Sequence, residues 1–255
     1  MNSLSEFVLH LADNALILGQ RNAEWCGHGP ILEEDLALAN NSLDLIGQAR
    51  LLYQHVAQLR SDGSTEDSLA YFRDQQDFLN FTLLELPHTT ALAPSARAER
   101  DYAVTIARNF LFSAYMLPVW EQLQTHADTQ LAAIAAKSVK EVKYHLQHAA
   151  DWLVRFGDGT EESHRRAQAA IDFLMPYTQE FWSEWPSAHT VLGDTAALQS
   201  GWQNTVHEVL TQAGLQLPPG GGYVTQGKSG IHSEHMSYLL AEMQSLARQH
   251  PGATW

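Results

Sequence analysis

Cysteine is nearly missing. Cys26 stands alone in 255 residues, which excludes a disulfide framework and any cysteine-based zinc site. Charge is scarce as well. Asp, Glu, Lys and Arg make up 17% of the chain, against roughly 25% in an average soluble protein. Much of the surface must therefore be uncharged, which points to contact with another protein. Basic residues are the scarcer kind, 15 Lys and Arg against 29 Asp and Glu, and the net charge is −14. That balance argues against nucleic acid or an anionic membrane as a partner. No apolar run is long: the uncharged stretch Asn109–Trp120 falls short of the ~20 residues that a membrane span needs. The first residues, MNSLSEFVLHLADN, carry an acid at Glu6 and no basic segment before the apolar ones, so no secretory signal is expected. The expected location is the cytoplasm. Alternating β-branched runs are nearly absent, and no repeat with a period of ~20–50 residues is visible.

What is present is helical periodicity over a composition that is 45% apolar. The first helix is predicted from a capping box, Ser3-x-x-Glu6, to about Cys26, with Gly27-His28-Gly29 as its stop. Pro30 suits the first position of a second helix, which runs to about Arg60 with Glu33, Glu34 and Asp35 in its opening turn. A third covers about Thr65–Leu86, and a polar connection spans His88–Ala98. The fourth, Glu99–Thr125, carries Pro118 as a kink; the fifth runs Asp128–Phe156. A sixth spans Glu161–Glu184 around Pro176, a seventh Asp194–Ala213, and a last one Ser233–Gln249. Four helices carry heptad-like seams. These are Val8, Leu11, Ala15 and Leu18; Ile31, Leu38, Leu45, Leu52 and Leu59; Ile106, Asn109, Ser113, Met116 and Trp120; and Leu131, Ile134, Ser138, Val142, His145, Ala149 and Trp152. Seams of this spacing belong to helices crossing at small angles. Short turns join helices one to two and four to five, giving two antiparallel pairs. The expected fold is all-α, a ferritin-like helical bundle with extra helices, in one domain over residues 1–255. Its bundle core is about residues 4–157 and its accessory helices about 161–249.

Thirteen histidines invite a metal reading. A carboxylate-bridged di-metal site needs a Glu from each of two helices and a Glu-x-x-His pair from each of two others. The literal pairs, Glu85–His88 and Glu161–His164, sit at a proline-broken helix end and in a polar first turn. The mid-seam positions are Ala15, Leu45, Gln48, Ser113, Val142 and His145, with no carboxylate among them. A dication in hydrocarbon without negative ligands is not stable. His145 alone reads as a core histidine rather than a ligand. Gly222-Tyr-Val-Thr-Gln-Gly-Lys228-Ser229 matches the phosphate-loop letters, but no strand precedes it and Gly230 follows it, so it reads as a connection into the last helix. In Gly230-Ile-His232-Ser-Glu-His235 the two histidines suggest metal; Ser233 as an N-cap is simpler. Met236, Leu239, Leu240, Met243 and Leu246 then form a core stripe. Lys137, Lys140 and Lys143, three of only four lysines, follow one side of the fifth helix as a solvated face, or as a patch for an acidic partner or phosphate-bearing ligand.

Several stretches carry a resemblance together: Glu24-Trp-Cys-Gly-His28, Asp35–Asn40, Leu43–Arg50, Lys137–Glu141 with Tyr144-His-Leu146, Gly230–His235 and Leu240–Gln244. With them the chain resembles, over its whole length, the C-subunit family of the ring epoxidase that acts on phenylacetyl-CoA in aerobic phenylacetate degradation. The resemblance implies a ferritin-like fold and a structural, non-catalytic role. It implies pairing with a related catalytic partner, the A subunit, which holds the di-iron site, and with further epoxidase subunits. NADPH, FAD and iron-sulfur are implied only for the reductase of the complex, and no cofactor for this chain. On that view Ala15, Leu45, Gln48, Ser113, Val142 and His145 are what remains of a degenerate ligand set. The resemblance also implies contact with phenylacetyl-CoA through Asp77, Phe78, Leu79 and Asn80, and through Ala188, His189 and Thr190 in a loop. Read from the residues alone, Phe78 and Leu79 are core, and Asp77 and Asn80 surface. A stand-alone di-metal oxidase and a nucleotide-binding module on Lys228 are the competing readings.

Overall fold

The computed structural model describes residues 2–90 and 100–253, so positions 91–98 of the predicted connection, and Glu99 as a helix start, lie outside the described residues. The described residues are helical, with one isolated bridge between Gln226 and Ile231 and no strand. The α-helices are α1 (Ser3–Ala23), α2 (Leu32–Arg60), α3 (Glu66–Tyr71), α4 (Thr82–Glu85), α5 (Tyr102–Leu123) and α6 (Thr129–Asp158). They continue with α7 (Glu161–Leu174), α8 (Gln179–Trp182), α9 (Pro186–Leu192), α10 (Ala196–Gln212) and α11 (Glu234–Gln249). Contacts divide them into two compact units.

The first unit contains the described residues up to Leu86, Pro186–Val191 and those from Thr225 on. Its centre is the hairpin of α1 and α2. The backbone of Gly19 lies against Ser42, Leu45 and Ile46, while Asp13 bonds Tyr53. Descending α1 thus ascends α2, and the pair is antiparallel. α1 is buried on nearly every side, as an apolar helix without a polar face must be. Its seam, Val8, Leu11, Ala15 and Leu18, is fully buried, as are Leu38, Leu45 and Leu52 of α2. Ile31, half-exposed at the N-cap of α2, and Leu59, partly exposed near its end, are the exceptions. α1 is capped by Asn2, whose side chain accepts the Ser5 N–H, rather than by the predicted Ser3. α2 starts at Leu32, two residues later than its proline suggested. In the turn before it, the Asp35 carboxylate accepts the Gly29 N–H at 3.0 Å.

The second unit contains the described residues of Pro87–Trp185 and Leu192–Val224. Here α5 and α6 form the hairpin: Tyr102 meets Trp152 and Phe156 at one end, and Lys143 pairs with Glu121 toward the other. Both predicted seams are buried, with only Trp152 half-exposed. α5 runs through Pro118 without ending. At Pro176 the predicted sixth helix tightens into a 3₁₀ turn, Met175–Thr178, before α8. The Trp202 indole donates to the Leu111 carbonyl at 3.0 Å and ties α10 to α5, beside a cluster of Tyr115, Phe181 and Trp182.

The predicted third helix is overturned. α3 stops at Tyr71, a 3₁₀ turn covers Gln75–Asp77, and Phe78 and Phe81 are extended. The break has a tertiary cause. Arg73 takes the carbonyls of Leu69 and Asp77, Gln244 of α11 donates to the carbonyls of Ala70 and Arg73, and Arg248 also donates to Arg73. Acceptors that would have extended the helix are used elsewhere.

Candidate functional site

The extended stretch after that break, Asp77–Phe81, is held by buried side chains. Extended backbone without a ladder partner must place its N–H and C=O groups elsewhere. Here the Leu79 N–H donates to Asp13 Oδ2 at 2.8 Å, and the Leu79 carbonyl accepts from His10 Nδ1 at 2.5 Å. The Phe81 N–H donates to Asn14 Oδ1 at 2.8 Å, and the Phe78 carbonyl accepts from His232 Nε2 at 2.9 Å. Arg73 Nη1 reaches the Asp77 carbonyl at 2.7 Å. His10, Asp13 and Asn14 lie on one stretch of α1; His232 stands just before α11.

Two ion pairs anchor this arrangement. Asp13, fully buried, is gripped by both terminal nitrogens of Arg73 and accepts the Tyr53 hydroxyl at 2.6 Å. Burial, then the Asp13 charge, push the Tyr53 phenol well above its ordinary pKa. The Arg73 guanidinium also lies over the Phe78 ring, 4.1 Å from its centroid. The second pair is Glu85 with His232, both side chains fully buried, at 2.8 Å. Glu85 also accepts the Ser233 N–H at 2.5 Å and the Asn80 amide at 3.2 Å. Both nitrogens of His232 face oxygen atoms, an arrangement in which the imidazolium can donate from each. Burial is the largest single influence and opposes that charge, but the Glu85 hydrogen bond, the Glu85 charge and the bond to the Phe78 carbonyl together outweigh it, and the His232 pKa rises above its usual 6.5. His10 is the reverse. Burial lowers its pKa to about 3, so the neutral ring donates from Nδ1 to Leu79 and accepts at Nε2 from the Asn14 amide.

Close backbone approach seals the other side. A Cβ at Gly227 would stand 2.4 Å from the Asn80 carbonyl oxygen, and one at Gly230, whose φ is +81°, 2.3 Å from that of Gln76. This is the phosphate-loop look-alike. Its Lys228 is buried in a short 3₁₀ turn; no strand precedes it and the left-handed Gly230 follows. Such a lysine is not presented on a loop that cradles phosphates.

Of the four residues expected to meet substrate here, Asp77 is exposed, Leu79 half-exposed, and Phe78 and Asn80 buried. Reading Asn80 as surface from the residues alone is corrected: its amide is bonded to Glu85 and to the Phe81 carbonyl. Ala188, His189 and Thr190 lie in α9, a helix where a loop was expected; Pro186 opens it, as proline at a first helical position does. His189 and Thr190 are exposed. Ser187 bonds Glu6, so α9 and the 77–80 segment are both anchored on α1. Their anchors, Glu6 and His10–Asn14, are about one to two turns apart. A groove of about 320 Å³, lined by Asp74, Gln75, Leu240, Gln244 and Arg248 among others, lies between the turn before the segment and α11.

The expected remnants of a ligand set are all buried: Ala15, Leu45 and Gln48 in the first unit, Ser113, Val142 and His145 in the second. Among the described residues no group of three His, Cys, Asp or Glu could hold a metal ion. The two literal Glu-x-x-His pairs are committed elsewhere, Glu85 as described and His164 to the Gly157 carbonyl at 3.1 Å. Ser233 caps α11, accepting the His235 N–H. In α11, Met236, Leu239 and Leu240 are core, whereas Leu246 is exposed. The lysine stripe is exposed, with Lys137 paired to Glu141 at 3.0 Å and Lys143 to Glu121 at 3.4 Å.

Comparison with known proteins decides the family. A model of the phenylacetic acid catabolic proteins matches residues 1–255. The chain belongs to that family. The C subunit of the 1,2-phenylacetyl-CoA epoxidase of Escherichia coli (strain K12) is 40% identical to it over 260 residues, covering both chains completely. Within this phenylacetic acid catabolic protein, sequence reasoning does not single out His10, Asp13, Asn14 and Arg73 as clamp residues, whereas Glu85 and His232 stand out there only as metal candidates and are instead partners of one another. One signal was available: Asp13 and Asn14 interrupt α1 between Leu11, Ala12 and Ala15, where every neighbouring position is buried. No helix is long and apolar enough to cross a membrane, among the described residues.

Proposed function

We propose that this chain is the structural, non-catalytic subunit of a multicomponent phenylacetyl-CoA 1,2-epoxidase, a monooxygenase of aerobic phenylacetate degradation in the cytoplasm. The observation that carries this reading is the end-to-end 40% identity to the C subunit of such an epoxidase. In this role the chain forms a ferritin-like bundle and pairs with a related catalytic partner, the A subunit, which it keeps intact. That partner holds the di-iron centre; NADPH, FAD and iron-sulfur serve the reductase. The donor set of this chain does not fit such a centre. Six buried positions offer one imidazole, one amide, one hydroxyl and three apolar side chains, and none supplies the negative charge that offsets desolvation of a metal cation. The exposed apolar positions of α2, with Leu32 at 71% and Leu43 at 67% exposure beside Leu36, suit a chain that works inside a complex. Asp77–Asn80 and Ala188–Thr190 are read as the parts that reach the thioester bound to the catalytic partner.

Co-expression with the catalytic partner tests the assignment. The expected result is a stable complex whose iron travels with the partner, and an isolated chain without stoichiometric iron. About two irons on the isolated chain, with oxidase activity of its own, overturns the reading, as does a partner that stays soluble and active without this chain.

A further inference from the structure

The buried clamp around Asp77–Phe81 is more than the fold needs. A surface loop ordinarily satisfies its backbone with water. Here two ion pairs and two polar side chains of α1 are buried to do so. Replacing buried ion pairs by apolar residues of similar volume is often neutral or stabilising. Stability alone is thus a weak reason for Asp13–Arg73 and Glu85–His232. What they supply is one backbone shape, in which Asp77 is exposed and Leu79 half-exposed while Phe78 and Asn80 point into the unit. Gly227 and Gly230 contribute to the same end, since a side chain at either would push the segment away.

We infer that Arg73 and His232 are positioning residues, which hold Asp77–Asn80 as a preformed edge for the acyl-CoA thioester. The inference rests on the proposed reading that this segment meets the thioester, and it deepens that reading. Neither residue needs to touch substrate. His232 grips the Phe78 carbonyl and, through Glu85, the Asn80 amide; Arg73 grips the Asp77 carbonyl and, through Asp13, the Leu79 N–H. Both flanks of Asp77–Asn80 are thereby fixed before substrate arrives. A loop that must order on binding loses affinity by the cost of that ordering.

The reconstituted epoxidase complex tests this with His232→Gln and Arg73→Lys in this chain, beside Leu79→Ala. Arg73→Lys retains the charge but not the two-pronged grip, so it serves if His232→Gln folds poorly. Two readouts are taken: amide hydrogen exchange over residues 77–81, and the KM and kcat for phenylacetyl-CoA. The expected outcome is about tenfold faster exchange confined to the segment, and a KM raised about tenfold with kcat and complex formation retained. Leu79→Ala raises KM as well, and its effect does not add to that of His232→Gln. If Leu79→Ala raises KM while His232→Gln and Arg73→Lys leave it unchanged, the positioning role is overturned and the contact reading stands. If Leu79→Ala leaves KM unchanged, the contact reading fails and the inference with it.

Discussion

Asp13 holds Arg73, Tyr53 and the Leu79 amide at once, in a fully buried position. Asp13→Ala therefore leaves a buried guanidinium without its counter-charge, and a loss of about 3–5 kcal/mol is expected in urea unfolding. A change under about 1 kcal/mol would show that the pair is solvated in solution. The two clamp histidines make a pH prediction of opposite signs. His232 gains its partner on folding, so its pKa is raised above 6.5; its stabilisation is complete below about that pH and is lost as pH rises through the raised value. His10 is held neutral by burial, with a pKa near 3 against 6.5 when unfolded. Its contribution is complete above about pH 6.5 and drains away as pH falls toward 3. His232→Gln should flatten the alkaline limb of a stability-versus-pH curve, and His10→Gln the acid limb. Identical limbs in wild type and both variants would remove the assignment.

At the scale of elements, the informative case is the stretch predicted as one helix over Thr65–Leu86. Its apolar spacing is helical, yet Gln244, Arg248 and Arg73 take the carbonyls that a longer helix would use, and Asp13 takes the Leu79 N–H. Local periodicity carries no information about hydrogen-bond partners 60 to 175 positions away in the chain, as the separations of those bonds show. The loop before α11 repeats the lesson. Its letters match a phosphate loop, but its glycines serve close packing: Gly230→Ala adds a Cβ at φ +81° and 2.3 Å from the Gln76 carbonyl oxygen. A cost above about 1 kcal/mol is expected in denaturant titration; a neutral result would mean the loop backs away from the segment at no cost. Calorimetric titration with ATP should give no heat of binding, and a measurable affinity that Lys228→Ala abolishes would reinstate the nucleotide reading.

For the whole molecule, the chain's scarcities now have physical counterparts. Low charge corresponds to exposed apolar positions on α2. Lysine scarcity leaves an exposed stripe whose ion pairs, Lys137–Glu141 and Lys143–Glu121, contribute little in water. Changing Lys140 to Ala should leave the unfolding midpoint unaltered; loss of assembly with the proposed catalytic partner would instead mark the stripe as a contact. The abundance of histidine is not metal chemistry at the clamp: His10 and His232 act as hydrogen-bonding hinges between α1, the 77–81 segment and the start of α11.

Sequence by itself determined the all-α class, the two hairpins and their buried seams. Helical periodicity and short turns are local, and burial of an apolar stripe follows from the stripe alone. It determined the family as well, through residues spread along the whole chain. Tertiary structure decided where the third predicted helix breaks, that α9 is a helix, and that Asn80 is interior. It also decided that Asp13, Arg73, Glu85 and His232 form one clamp. Those outcomes depend on which distant donor meets which acceptor when both leave water, and no window of neighbouring residues contains that pairing.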